Sequence, residues 1–380
     1  MFKVLVASDS YKGSLSTYEV IQAIKEAGKR IDQVEVIGIP IADGGEGTLD
    51  SLLDFLGGER ILCEVTDPLG RRISAYYGLV KDMAIIEMAA SSGLTLLSKG
   101  ERNPLNTTSY GFGELIRDAL DRPEVKSIIV GIGGSATNDG GVGMAQALGL
   151  RALDHQKKEI SLGGKHIGRI DSLDLQHMHS RLKEVPIRVI CDVFNPLCGH
   201  QGATYVYGPQ KGATPEMLPL LERNLRRLAD VIKRDLGMDV VQLPGGGAAG
   251  GVGAALFAFC HAELQPGIEL ILDLVEFDKV VKEVDLIITG EGKTDSQTQF
   301  GKAVAGIAKR AKRYRKPVVC LSGALEYPLD ELYSLGITAF FSCSSQPMSE
   351  SDSMKYAYSN LVYTAENVIR LYMSGLGKGK

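Results

Sequence analysis

The chain has 380 residues, enough for two domains at roughly 100–200 residues each. Hydrophobic residues make up 44% and charged residues 23%, with a formal net charge of -4. That composition fits a folded chain with a sizeable core and lacks the basic density of a nucleic-acid footprint. Forty-five glycines stand against only 14 prolines, which excludes collagen-like and Pro/Gly-disordered classes.

In chain order, residues 2–7 (FKVLVA) form an apolar run that ends in Asp9-Ser10-Tyr11-Lys12-Gly13. Ser16-Thr17-Tyr18-Glu19 is a capping box, and Val20, Ile21, Ile24 and Ala27 follow on one helical face. Residues 34–41 form a second strand-like run, ending in Ala42-Asp43-Gly44. Residues 49–56 predict a short helix stopped by Gly57-Gly58. Residues 61–66, 73–80 and 83–89 alternate with turn signals and leave no room for crossover helices, which predicts an antiparallel meander. Further apolar runs at 125–130, 187–191, 284–289 and 317–321 each end in a small polar loop. Thr214-Pro215 predicts a helix start by N-cap and N1 proline, with Leu218, Leu221, Leu225, Leu228 and Ile232 repeating until Gly237. Helical patterns also cover about 301–313 and 353–373.

Near-continuous apolar strands indicate a parallel sheet buried on both faces. The fold class is therefore α/β: a Rossmann-like parallel-sheet domain with a second, inserted α/β domain containing the meander. The expected boundaries are 1–62 with 280–380 for the first domain and 63–279 for the insertion. In open α/β sheets ligands bind outside the carboxyl ends of the strands. Five loops at such ends carry an aspartate: Asp9, Asp43, Asp139, Asp192 and Asp295.

Six cysteines form no C-x-x-C pair, and a chain this long needs no disulfide staples, so a reduced, cytoplasmic setting is expected. The first ten residues are too short for a signal h-region. The charge-free stretch 240–260 holds Pro244 and six glycines, unsuited to a membrane span. A soluble monomer or homodimer, with neither nucleic-acid nor membrane partners, is the expectation.

Two glycine-dense segments have the form that turns backbone N–H groups toward phosphate: Gly131-Ile132-Gly133-Gly134-Ser135-Ala136 and Gly245-Gly246-Gly247-Ala248-Ala249-Gly250. A dinucleotide reading of the first requires a helix starting inside the motif. Thr137-Asn138-Asp139-Gly140-Gly141 follows, with Gly143 beyond, and a helix is expected only after Gly143. Asp154 has the spacing of a ribose carboxylate, but no strand pattern leads to it. Gly292-Lys293-Thr294 imitates the end of a Walker A loop, yet position 287 is Ile where a glycine is required. GEGKTDSQT (290–298) nonetheless puts Glu291, Lys293, Asp295 and two threonines on one expected loop, material for Mg²⁺ and phosphate. Lys12, between a strand end and a capped helix, sits where anion sites form. Lys211 in YGPQKGA has a similar setting. A hydride-transferring nicotinamide enzyme and a ligand-binding module without chemistry are the rival readings.

Taken together, the loops resemble the bacterial glycerate kinases that form 2-phosphoglycerate. The matching stretches are ASDSYKGSLS (7–16), IADGGEGT (41–48), EMAASSGL (87–94), TSYGFGELI (108–116), GIGGSATNDGG (131–141), CDVFNPLCG (191–199), GPQKGA (208–213), PGGGAAGGVGAAL (244–256) and ITGEGKTDSQTQFGK (288–302). Ser8, Tyr11, Phe112 and Gly246 depart from that pattern, and Tyr11 and Phe112 are the departures expected to reshape an acceptor pocket. The resemblance implies two α/β domains with the active site in their cleft, and ATP- and Mg²⁺-dependent phosphorylation of D-glycerate on its 2-hydroxyl.

For that chemistry Asp192 is the expected carboxylate that orients the acceptor hydroxyl and takes its proton, with Asp43 the alternate. Lys12 is expected to offset transition-state charge, with Lys293 second. Asp295 and Glu291 are the expected Mg²⁺ ligands. Gly133, Gly134 and Ser135 are the expected phosphate contacts, with Gly245, Gly246 and Gly247 a second set. Ser10, Asp9 and Asn195 are assigned to the acid acceptor.

Overall fold

The computed structural model describes residues 1–41, 48–299 and 303–377. Among these the strands are, in chain order, β1 (Phe2–Ser8), β2 (Val34–Pro40), β3 (Glu59–Thr66), β4 (Arg72–Val80), β5 (Met83–Glu87), β6 (Ser127–Gly131), β7 (Arg151–Leu153), β8 (Ser172–Asp174), β9 (Ile187–Ile190), β10 (Glu263–Gln265), β11 (Leu286–Thr294), β12 (Val318–Leu325) and β13 (Ala339–Ser342). The chain divides into two compact units: Met1–Asp43 with Ile268–Lys380, and Gly44–Gly267. Sequence patterning had put the crossings near 62 and 280. The units divide earlier at both points because the helix Thr48–Leu56 and strand β3 pack with the meander, while the helix Gly267–Leu274 starts at the second crossing.

The first unit is a five-stranded sheet in the order β13-β12-β11-β1-β2, parallel throughout. Numbered within the unit, that order is 2-1-3-4-5, a doubly wound arrangement whose connections reverse direction between β1 and β11. Its strands are apolar on both faces because helices cover both. Phe2, Val4, Val6, Leu286 and Ile288 share a core with the helices Thr17–Lys29 and Ala357–Gly375. The helices Phe277–Glu283 and Ala303–Lys312 lie against the opposite face. Ser16 caps the first helix reciprocally with Glu19, as the sequence predicts.

The second unit is a six-stranded mixed sheet in the order β10-β9-β6-β5-β4-β3. β3, β4 and β5 form the antiparallel meander, and β5, β6, β9 and β10 run parallel. β7 and β8 form a separate antiparallel ribbon. The long helix begins at Leu218 rather than Thr214, after a turn in which the Met217 N–H donates to the Thr214 carbonyl at 3.0 Å, and it ends at Gly237 with φ of 72°. The expected C-terminal helix is two, Glu350–Lys355 and Ala357–Gly375. All six cysteines are unpaired. Among the described residues no helix is long and apolar enough to cross a membrane.

Candidate functional site

In the first unit the carboxyl ends of β1 and β11 meet at the topological switch point. The Asp9 N–H and the Ser8 hydroxyl both donate to the Gly290 carbonyl, at 3.1 Å and 2.8 Å. A Cβ on Gly290 would stand 1.9 Å from the Leu321 carbonyl and 2.7 Å from the Tyr11 hydroxyl, and one on Gly292 would reach 3.2 Å from the Lys12 nitrogen. Side chains at these two positions would push the β1 loop away from β11, so the glycines hold the Lys12 segment against the Glu291 segment. Residues 290–294 were expected to be a loop. They are strand: Gly290, Glu291, Lys293 and Thr294 pair with Leu321, Ser322, Ala324 and Leu325 of β12.

This packing brings together several of the residues singled out in the sequence. Asp9 accepts from the Ser10 N–H at 2.7 Å; both side chains are half-buried, and Lys12 is exposed. Glu291 is buried, and its Oε1 accepts from the hydroxyls of Thr294 at 3.2 Å and Thr298 at 2.7 Å. Thr298 also accepts from the Asp295 N–H at 3.2 Å, so Glu291 and Asp295 share one threonine. Asp295 Oδ1 accepts from the Gln297 N–H at 2.8 Å. Lys293 is exposed and forms an ion pair with Glu326, which raises its pKa. Tyr11, expected to shape an acceptor pocket, is 3% exposed and donates to the Leu321 carbonyl at 2.6 Å. Phe112 is fully buried in the core of the second unit. Asp43 lies outside the described residues.

Glu291 gathers the hydroxyls of Thr294 and Thr298, and Asp295 follows Thr294 in the chain, so the candidate metal ligands of this segment are oxygens. Among the described residues no cluster of three His, Cys, Asp or Glu side chains exists that could hold a metal alone. Oxygen ligands of this kind are the type Mg²⁺ takes, through one or two carboxylates with phosphate oxygens and water completing the shell.

In the second unit β5, β6, β9 and β10 deliver their carboxyl ends to one edge. Asp192 follows β9, is exposed, and accepts through Oδ1 from the Gly267 N–H at 2.7 Å. Gly267 opens the helix Gly267–Leu274, whose first-turn N–H groups lack intrahelical partners. Asn195 is tied into its own loop: its Oδ1 accepts from the Tyr207 hydroxyl at 2.6 Å and its Nδ2 donates to the Gln201 carbonyl at 2.8 Å.

The two glycine segments differ in what their backbone offers. The Gly246 and Gly247 N–H groups donate to the carbonyls of Leu243 at 2.9 Å and Asn195 at 3.0 Å, and Ala248 donates back to Gly245 at 3.0 Å. These N–H groups are used inside the fold. Gly133 and Gly134 instead form an exposed turn after β6, and Gly134 has φ of 67°. The segments also pack on each other: the Gly140 N–H donates to the Gly250 carbonyl at 3.0 Å, and Thr137 Oγ1 donates to Ala249 at 3.3 Å.

Asp139, one of the five strand-end aspartates, is fully buried. It accepts from the Ser109 N–H at 2.8 Å, the Ser109 hydroxyl at 2.9 Å and the Gly141 N–H at 3.1 Å. Burial pushes its carboxyl up against these hydrogen bonds, which pull it down. It fastens the loop to the start of the helix Tyr110–Asp121. The next helix, Val142–Ala147, starts one residue before Gly143 rather than after it; a Cβ on Gly143 would stand 2.3 Å from Thr108 Oγ1 and 2.8 Å from Asp139 Oδ2. Asp154 does follow a strand, β7, but in the separate ribbon, and its Oδ1 accepts from the N–H groups of Gln156 at 2.9 Å and Lys158 at 3.0 Å. Its carboxylate stabilises a turn.

The sequence profile of the glycerate kinase family matches residues 4–373. The chain belongs to the glycerate kinase family. A glycerate kinase of Haemophilus influenzae is 47% identical over 97% of this chain and 98% of its own length. A glycerate 2-kinase of Escherichia coli K12 is 43% identical over 98% and 99%. A crystal structure assigned as glycerate kinase 2, from Salmonella typhimurium LT2, superposes with a TM-score of 0.88 at 47% identity, covering 99% of both chains. The chain is thus a kinase, and its α/β architecture is that of its relatives.

Proposed function

We propose that this enzyme transfers the γ-phosphoryl group of ATP to the 2-hydroxyl of D-glycerate, giving 2-phosphoglycerate and ADP. The reading is supported above all by the E. coli relative named glycerate 2-kinase, which aligns over 98% of the chain. It is supported chemically by the meeting of a lysine loop and a carboxylate strand end at the β1/β11 switch point.

Phosphoryl transfer asks a protein mainly to align the reactants and offset charge. Lys12 is assigned to the transferring phosphoryl oxygens. Glu291 and Asp295 would hold Mg²⁺, which would offset negative charge on the nucleotide phosphates. The exposed Gly133–Gly134 turn is the better of the two glycine segments for an incoming anion, because the N–H groups of Gly246 and Gly247 are already engaged. Asp192 is assigned to the acceptor hydroxyl: it orients the O–H and accepts its proton as the P–O bond forms. Asp9 and Ser10 are assigned to the acid. Lys293 is a weaker choice for transition-state charge, since Glu326 already offsets it. A cytoplasmic setting suits six unpaired cysteines.

Phosphorus NMR of D-glycerate with Mg-ATP tests this directly. A phosphate on C2 couples to one proton and gives a doublet; a phosphate on C3 couples to two and gives a triplet. A doublet with matching ADP is expected. A triplet overturns the 2-hydroxyl assignment, and absence of any phosphomonoester overturns the kinase reaction on glycerate. Oxidation of reduced nicotinamide at 340 nm would instead favour hydride transfer.

A further inference from the structure

Lys211 is 2% exposed. It ends a short turn, Pro209–Lys211, and is followed by Gly212 with φ of 92°, where a Cβ would lie 2.2 Å from the Arg102 carbonyl. That backbone turns the lysine inward. Its Nζ donates to Ser135 Oγ at 2.9 Å and to the Thr137 carbonyl at 2.7 Å. Both acceptors lie in the loop after β6, immediately beyond the exposed Gly133–Gly134 turn.

An ammonium carries three donors and no acceptor. Ser135 Oγ is therefore the acceptor in this bond, and its own proton must point elsewhere. Among the described residues no hydrogen-bond acceptor for that proton is found, while Ser135 sits 6% exposed at the edge of the turn. Resting on the kinase reading above, we propose that Lys211 is a positioning residue that fixes Ser135 as an outward O–H donor, which with the Gly133–Gly134 turn receives an anionic oxygen, either a nucleotide phosphate or the acceptor's carboxylate.

The charge environment makes the arrangement depend on pH. Burial pushes the Lys211 ammonium down to about 7, opposed by the Asp139 carboxylate in the same loop. Arg102 adjoins through its backbone at Gly212. The neighbouring helix Ala203–Tyr207 brings the tyrosines Tyr205 and Tyr207 and no charged side chain. A neutral amine gains a lone pair and is able to accept the Ser135 proton, which reverses the bond and withdraws the donor from the ligand. The anion favours the charged lysine, so its affinity is greatest at low pH and falls as pH rises through about 7, by up to about tenfold per unit while the charged form is required.

The test is steady-state kinetics of the wild type, Lys211→Met, Lys211→Arg and Ser135→Ala between pH 6 and pH 9, varying ATP and D-glycerate separately. In the wild type, KM for one substrate should rise with pH. Lys211→Met and Ser135→Ala should each raise that same KM about tenfold at pH 6 and flatten its pH dependence, with kcat less affected. The double variant should be no worse than the worse single. Lys211→Arg, which keeps the charge, should remove the pH dependence while retaining more low-pH affinity than the methionine. The substrate whose KM moves identifies phosphate or carboxylate as the ligand group. Ser135→Ala with both KM values and both pH profiles unchanged overturns the proposal, whether or not Lys211→Met folds. If the wild type shows no turnover with glycerate, the kinase reading fails separately. Thermal shifts with tripolyphosphate and with D-glycerate at pH 6 and pH 9 then decide: a pH-dependent shift lost in Ser135→Ala supports the anion site, and a shift that Ser135→Ala leaves unchanged, or no shift, overturns it.

Discussion

Replacing Asp192 by Asn separates its proposed chemical role from its structural one. The observed bond is Oδ1 accepting from the Gly267 N–H at 2.7 Å, and an Asn carbonyl oxygen reproduces that acceptor with the same number of atoms. What is lost is the negative charge at the first turn of the helix Gly267–Leu274. For an exposed carboxylate that difference is at most about 1 kcal/mol. In a unit of this size it moves Tm by about 2–4 °C. The chemical loss is larger. A positioned general base contributes about 10²–10⁴ in rate, which is about 2.7–5.4 kcal/mol of barrier. ADP release coupled to reduced nicotinamide, with D-glycerate and Mg-ATP, should therefore show kcat down at least about 100-fold, with KM for both substrates nearly unchanged. Asp192→Ala should show the same kcat and a lower Tm than the Asn variant, because it also removes the acceptor for Gly267. An Asp192→Asn enzyme with kcat within about threefold of wild type (roughly 0.6 kcal/mol) refutes the base assignment.

Lys12→Met should cut kcat by about 10²-fold or more while circular dichroism and Tm stay near wild type, since the side chain is exposed; a variant altered only in thermal stability shows Lys12 to be structural. Asp295→Asn should move the Mg²⁺ concentration for half-maximal rate upward by about tenfold, read from a metal titration at saturating ATP, and an unchanged titration removes Asp295 from the metal. Tyr11→Phe probes the junction of the β1 loop with β12. Burial holds the Tyr11 phenol well above its ordinary value, so its folded form resists ionisation while the unfolded chain ionises near pH 10. Stability attributable to Tyr11 is present below pH 10 and declines above it. Urea denaturation should find the Phe variant about 1–2 kcal/mol less stable at pH 8, with the gap to wild type narrowing above pH 10; a gap that widens with pH contradicts the sign.

The capping box at Ser16, the apolar runs of β1, β6, β9 and β12, the meander and the Gly237 stop were all legible in the sequence. Each depends on contacts within a few residues or on a two-sided burial that leaves its mark as continuous hydrophobicity. So was the gathering of polar loops at strand carboxyl ends, because parallel α/β winding puts them there. Tertiary structure alone decided the rest. Residues 290–294 read as a glycine-rich polar loop, yet they form a strand, since the missing Cβ atoms of Gly290 and Gly292 let β12 and the Tyr11 loop close in from two sides. Two similar glycine motifs parted in the same way: one spends its N–H groups on Leu243 and Asn195, and the other stays exposed. Lys211 reads as one more loop lysine, and only its enclosure among Ser135, Thr137 and Asp139 distinguishes it from Lys12. Local patterns record what a residue's neighbours in the chain require. Which N–H is already bonded, and which charge is buried, is set by segments 50 to 300 residues away, as in the Gly247–Asn195, Lys211–Ser135 and Ser8–Gly290 bonds, and no window along the chain contains them.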